Sequence, residues 1–90
     1  MKIKWDPKKA SANYTKHKIR FSDAESVLFD PFALTCPDSK AVVEERFITI
    51  GCDALQRIVL VVYTFRGDSI RLISARRATL KERKSYEEGI

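Results

Sequence analysis

Few residues in this chain of 90 could do chemistry. His17 is the single histidine, and histidine is the side chain whose charge changes near neutral pH. It follows Lys16 close to the expected end of a helix, where the dipole attracts cations. Arg76 and Arg77 stand side by side in "SARRATLKERKSYE", where an apolar run gives way to a helix-like one. Arg66 closes another apolar run beside Gly67, and loops at strand ends often carry function on a rigid scaffold. Glu82 and Tyr86 lie four apart, on one side of a helix. There is no phosphate-cradling glycine loop, no serine nucleophile elbow and no useful pair of carboxylates. One histidine without CxxC or HxxxH spacing predicts no metal site and no cofactor. The reaction these residues permit is RNA cleavage, because RNA brings its own nucleophile, the 2′-hydroxyl. A protein then supplies a modest base, a cationic clamp on the phosphate and a proton donor. His17 or Glu82 would move protons, and Arg76 or Arg77 together with Arg66 would hold the phosphate through the planar fork of arginine.

Each residue also has a plainer reading. His17 can cap helix carbonyls or pack on Tyr14. Glu82 follows Thr79 at the spacing of a capping box, and capping is its better account. Tyr86 can pack on the sheet, and Arg46 can pair with Glu44 or Glu45. Neighbours on a strand point to opposite faces. Alternation therefore puts Arg76 with Leu72 and Ser74, and Arg77 with Arg71, Ile73 and Ala75. One guanidinium is expected at the open face and the other in an internal salt bridge.

The charge pattern favours an anionic partner. Residues 1–20 hold seven Lys/Arg against one Asp, residues 21–65 three basic against seven acidic groups, and residues 66–84 seven basic against two acidic. Two basic blocks thus flank an acidic middle, within a net charge of +5. Cys36 and Cys52 read as reduced, buried or half-buried thiols in a cytoplasmic protein, since no signal peptide or membrane-length apolar run is present.

The elements that must position these groups form one domain. "KIKW" suits a short strand. Asp6 and Pro7 open a helix as N-cap and first helical residue. Ala10, Asn13, Tyr14 and His17 share one of its stripes, and Lys9, Asn13, Lys16 and Arg20 a neighbouring polar one. "FSDAESVLFD" predicts a second helix with a Ser22–Glu25 capping box, ended at Asp30-Pro31. "FALTC", "RFITIG", "RIVLVVYTF" and "SIRLISARRA" read as strands, the third apolar on both parities and so central. A last helix begins at Thr79. The order is β-α-α-β-β-β-β-α, an α+β domain with an antiparallel sheet and helices packed on it.

The stretches "KWDPKKASANYTKHKIRFSDA", "EERFITIG" and "VVYTFRGDSIRLISARRATLKERKSYE" together resemble the BrnT-type toxins of bacterial type II toxin–antitoxin modules, over nearly the full length. The resemblance implies a RelE-like α+β fold and an endoribonuclease that blocks translation. It implies a BrnA-type antitoxin with a ribbon-helix-helix DNA-binding part as partner, and promoter DNA reached only through that antitoxin. It carries over Lys9, Asn13, Lys16, His17, Arg46, Arg66, Arg76, Arg77, Glu82, Arg83 and Tyr86. Of these, Lys9, Asn13, Lys16, Arg46 and Arg83 are expected to bind RNA. One position departs: these proteins commonly have glycine after Lys-His, where this chain has Lys18. A left-handed angle there costs lysine about 1 kcal/mol. A non-catalytic basic nucleic-acid-binding module, or a structural partner of an antitoxin, would use the same basic face without an acid or base.

Overall fold

The computed structural model describes residues 2–40 and 44–89. β1 (Lys2–Lys4) leads into α1 (Pro7–His17). Asp6 caps α1 by accepting from the Lys8 N–H, with Pro7 in the first turn as expected. Lys18 ends α1 in the left-handed region, at φ 60°, its N–H donating to the Tyr14 carbonyl at 2.8 Å. The turn therefore keeps the geometry a glycine would have, with lysine bearing the strain.

The next segment differs from expectation. Only Phe21–Ala24 is α-helical (α2), and Glu25–Phe29 tightens into a 3-10 helix. The Ser22–Glu25 capping box does not form: the N-cap is Arg20, and no side chain caps the helix. The cause is tertiary. Ile19, Phe21, Ala24 and Val27 are all buried, so their burial sets the start of the helix and tightens its end.

Four strands follow: β2 (Leu34–Pro37), β3 (Phe47–Cys52), β4 (Ile58–Arg66) and β5 (Ser69–Arg77); α3 (Leu80–Glu88) closes the chain. The sheet runs β1-β5-β4-β3-β2. β2 to β5 are antiparallel neighbours, as short connections dictate, but β1 joins β5 in parallel, with Lys2 opposite Ser69 and Lys4 opposite Arg71. The sheet is mixed rather than purely antiparallel, because α1 returns the chain between β1 and the rest.

One face of the sheet carries the core. Val59, Val61, Tyr63, Ile70, Leu72 and Ala75 pack under Ile19, Phe21, Ala24 and Val27 from the helical layer. Trp5 meets Phe21 edge-on at 6.0 Å between centroids. α3 covers part of the opposite face. Register places Leu34, Ile50, Leu60 and Arg76 in one row across that face, and α3 reaches both ends of the row: Glu82 bonds Arg76, and Gly89 abuts Leu34. No α3 side chain is buried.

β5 carries a bulge. Val62 pairs with Ser74 and Tyr63 with Leu72, leaving Ile73 as the extra residue. Simple alternation through β5 therefore fails. Leu72, Ala75 and Arg77 share the core side, whereas Arg71, Ser74 and Arg76 share the other. β1 pairs only with Ser69–Arg71, so beyond that point β5 is an edge strand.

Candidate active site

Asn13 substitutes for the missing neighbour of β5. Its amide nitrogen donates to the Ala75 carbonyl at 2.8 Å and the Ile19 carbonyl at 3.0 Å, and its Oδ1 accepts from the Ala75 N–H at 3.0 Å. The side chain is 7% exposed. A buried amide offers two donors and one acceptor for three backbone groups that would otherwise be orphaned. Asn13 is thus a stitch between α1, the α1–α2 corner and β5. It is buried in this stitch rather than displayed on an exposed polar stripe, which differs from the sequence expectation.

The stitch creates a groove. Between α1 and the bulged edge lies a shallow concavity of about 300 Å³, lined by Lys9, Ala12, Asn13, Lys16, His17, Ile73 and Ser74. Lys9 and Lys16 are exposed on its rim, and His17 is half-buried in its wall. His17 precedes the stitched Ile19 by two residues, and Arg77 follows the stitched Ala75 by two on the same side of β5. Arg77 is exposed, and among the described residues no carboxylate pairs with it, Lys9 or Lys16. Lys9, Lys16 and His17 of the N-terminal basic block therefore share one groove with the middle of β5.

The other expected site residues lie elsewhere. Arg76 forms a two-pronged ion pair with Glu82, at 2.8 and 2.9 Å. Glu82 also accepts from the Thr79 N–H at 2.8 Å, while Thr79 Oγ1 accepts from the Glu82 N–H, completing the capping box. The Arg76 hydrogen bonds hold the Glu82 carboxyl down at about 2, against the opposing effect of its partial burial, and in turn raise Arg76 above its usual value. With both oxygens engaged by Arg76 and one also by the Thr79 N–H, Glu82 anchors α3 in this structure. One of the two arginines thus forms a salt bridge, as expected, but a partly exposed one rather than an internal one.

Tyr86 donates to Asp30 Oδ2 at 2.6 Å, which pushes its hydroxyl up to about 12. Burial resists ionisation of Asp30, but bonds from Tyr86 and from the Cys52 and Phe32 N–H groups outweigh it and lower its value. Tyr86 is thus the second anchor of α3, committed to a carboxylate. Arg83 sits on the exposed side of α3, paired with Glu87 at 3.0 Å.

Arg66 and Arg46 are at the wrong end of the sheet for a shared phosphate. Arg66 faces Ser69 beside the β4–β5 turn, whereas Arg76 faces Leu60, six residues back along β4. That separation is about 20 Å at the rise of a strand. Arg66 pairs with Glu44 at 3.6 Å, and Arg46 immediately precedes β3 at the same end. The expected clamp of Arg66 with Arg76 or Arg77 does not exist in this fold. Cys36 is exposed rather than buried, Cys52 is half-buried, and both are free.

Sequence reasoning missed Ile73 and Ser74, the strand-side wall of the groove. Nothing local in "RLISARR" marks a bulge; the only hint is that strict alternation would have set Leu72 opposite Ala75, though both are apolar. Among the described residues, no three His, Cys, Asp or Glu side chains cluster as metal ligands would, and no helix is long and apolar enough to cross a membrane.

Comparison with known proteins agrees with this architecture. The family described as "Ribonuclease toxin, BrnT, of type II toxin-antitoxin system" matches residues 5–82. The crystal structure of the Brucella abortus ribonuclease toxin BrnT is similar at 30% identity and a TM-score of 0.70, over 88% of this chain and 97% of that one. No curated protein matches.

Proposed function

Since this chain belongs to the BrnT family of ribonuclease toxins from type II toxin–antitoxin systems, we propose that it cuts RNA in the groove between α1 and β5, by a metal-independent attack of the 2′-hydroxyl. The observation that carries the reading is the convergence of His17, Lys9 and Lys16 on one concavity. His17 takes the proton of the 2′-hydroxyl. The freed oxygen attacks the adjacent phosphorus, and the bond from phosphorus to the 5′-oxygen breaks, leaving a 2′,3′-cyclic phosphate. A Lys9 or Lys16 ammonium gives the departing oxygen its proton. These ammoniums and Arg77 stabilise the extra negative charge on the phosphorane, the step at which fixed cations act most strongly. Through this activity the protein stops translation. A BrnA-type antitoxin with a ribbon-helix-helix part neutralises it and connects it to promoter DNA.

His17→Ala, Lys16→Ala and Arg77→Ala, assayed singly on RNA with melting curves alongside, test the assignment. Loss of a positioned general base lowers cleavage by about 10²- to 10⁴-fold. His17→Ala is expected to show that loss with an unchanged melting temperature. A substrate with 2′-deoxy at the cut position is expected to bind without being cleaved. If His17→Ala cleaves like the parent protein, the groove is not the reaction centre. Binding without cleavage of normal RNA would identify a non-catalytic module instead.

A further inference from the structure

A second concavity flanks α1 on its other side, and nothing in the proposed reaction uses it. It encloses about 330 Å³ between Trp5, Ala10, Ser11, Tyr14, Arg20, Phe21 and Ser22. Its walls are aromatic and its mouth cationic. Arg20 stacks over the Tyr14 ring at 4.8 Å, and Lys18 lies 5.6 Å from the same ring centroid. Tyr14 is 40% exposed. Trp5 meets the edge of Phe21 at the base of this pocket, with 6.0 Å between ring centroids. Two serine hydroxyls supply donors and acceptors at the rim.

We propose that this pocket receives a nucleobase of the bound RNA, stacked between the Tyr14–Arg20 platform and Trp5, with Lys18 against the adjoining phosphate. The proposal rests on the nuclease reading for its ligand and adds to it a subsite for base choice. Single-stranded RNA is read by stacking unpaired bases on aromatic rings and guanidinium planes while cations follow the backbone. The volume suits one nucleotide rather than a helix or strand of protein. The pocket and the groove lie on opposite flanks of α1, a distance of about 10 Å across the helix, and the α1–α2 corner with Lys18 and Arg20 lies at the end of the helix between them. A strand with its scissile phosphate beside His17 can cross this corner and place a neighbouring base in the pocket.

Trp5 is the only tryptophan in the chain, so its fluorescence reports on this pocket alone. The intact protein is titrated with each of the four nucleoside monophosphates, and with ribose 5-phosphate as a probe without a base. At least one nucleotide is expected to change the emission saturably, with a dissociation constant around a millimolar, as stacking of a single base allows. Ribose 5-phosphate is expected to leave emission unchanged, and Tyr14→Ala and Arg20→Ala to weaken the nucleotide response about tenfold. On long RNA, Tyr14→Ala is expected to alter which phosphodiesters are cut. No response to any nucleotide, or an equal response to ribose 5-phosphate, overturns the proposal. The same holds if the cutting pattern of Tyr14→Ala matches that of the parent protein. Cleavage surviving in His17→Ala would instead defeat the groove assignment, and the Trp5 titration is read independently of it.

Discussion

Asn13→Ala separates a stitch from a ligand contact. The substitution leaves the Ala75 N–H, the Ala75 carbonyl and the Ile19 carbonyl without the partners they have at 3.0, 2.8 and 3.0 Å. A buried backbone group left unpaired costs about 1–3 kcal/mol. The adjoining groove lets water reach some of these groups, so the total is roughly 2–4 kcal/mol rather than the full sum. For a domain of this size, 1 kcal/mol moves the melting temperature by about 4–8 °C. The variant is therefore expected to melt about 10–25 °C below the parent protein, and its urea midpoint should fall with it. Asn13→Asp keeps an acceptor for the Ala75 N–H but loses the donors to both carbonyls, and is expected to rescue little. RNA binding measured well below the melting temperature should be less affected than stability. A melting temperature within 2 or 3 °C of the parent, coupled to a large loss of RNA affinity, would refute the stitch and restore Asn13 as a contact residue.

The remaining predictions concern the turn after α1 and the anchor of α3. Lys18→Gly relieves the φ of 60° and is expected to stabilise the fold by about 1 kcal/mol, read as a rise in urea midpoint; a fall would contradict the strain. Glu82→Gln tests the carboxylate held at about 2 instead of the ordinary 4.5, a difference equivalent to about 3 kcal/mol. With Glu82 about a quarter exposed and Arg76 more so, screening reduces this to roughly 1–2 kcal/mol. Because the folded value is the lower one, this stabilisation is present above about 4.5 and is lost as pH falls towards 2. The stability gap between parent and Glu82→Gln should therefore close over that interval, and a gap independent of pH would disprove the coupling.

Local signals were legible in the sequence; those that need a distant partner were not. Asp6 with Pro7, and Thr79 with Glu82, specify helix starts through contacts within three residues, and both form. The doubly apolar β4 lies third of the five strands, and Val59, Leu60, Val61, Tyr63 and Thr64 on its two faces are buried. Ser22 and Glu25 have the same spacing as Thr79 and Glu82, yet burial of Ile19 and Phe21 prevails over the local pattern. Asn13 sits on a stripe with two lysines and so reads as polar surface, until a strand 62 residues away claims its amide. The expected clamp of Arg66 with Arg77 overlooked the hairpin: one adjoins its turn and the other ends its second strand, so antiparallel pairing holds them apart.

The span of that amide bond also orders events in time. One wall of the groove belongs to α1 and the other to β5, and a single side chain joins residue 13 to residue 75. As the polypeptide is being synthesised, the first wall exists long before its counterpart has been translated. A chain ending before β5 possesses the histidine and both lysines but has no enclosure around a phosphate. Termination before β5 thus yields fragments without a formed groove, and a cell making this protein meets the enclosed groove only after β5 has been translated.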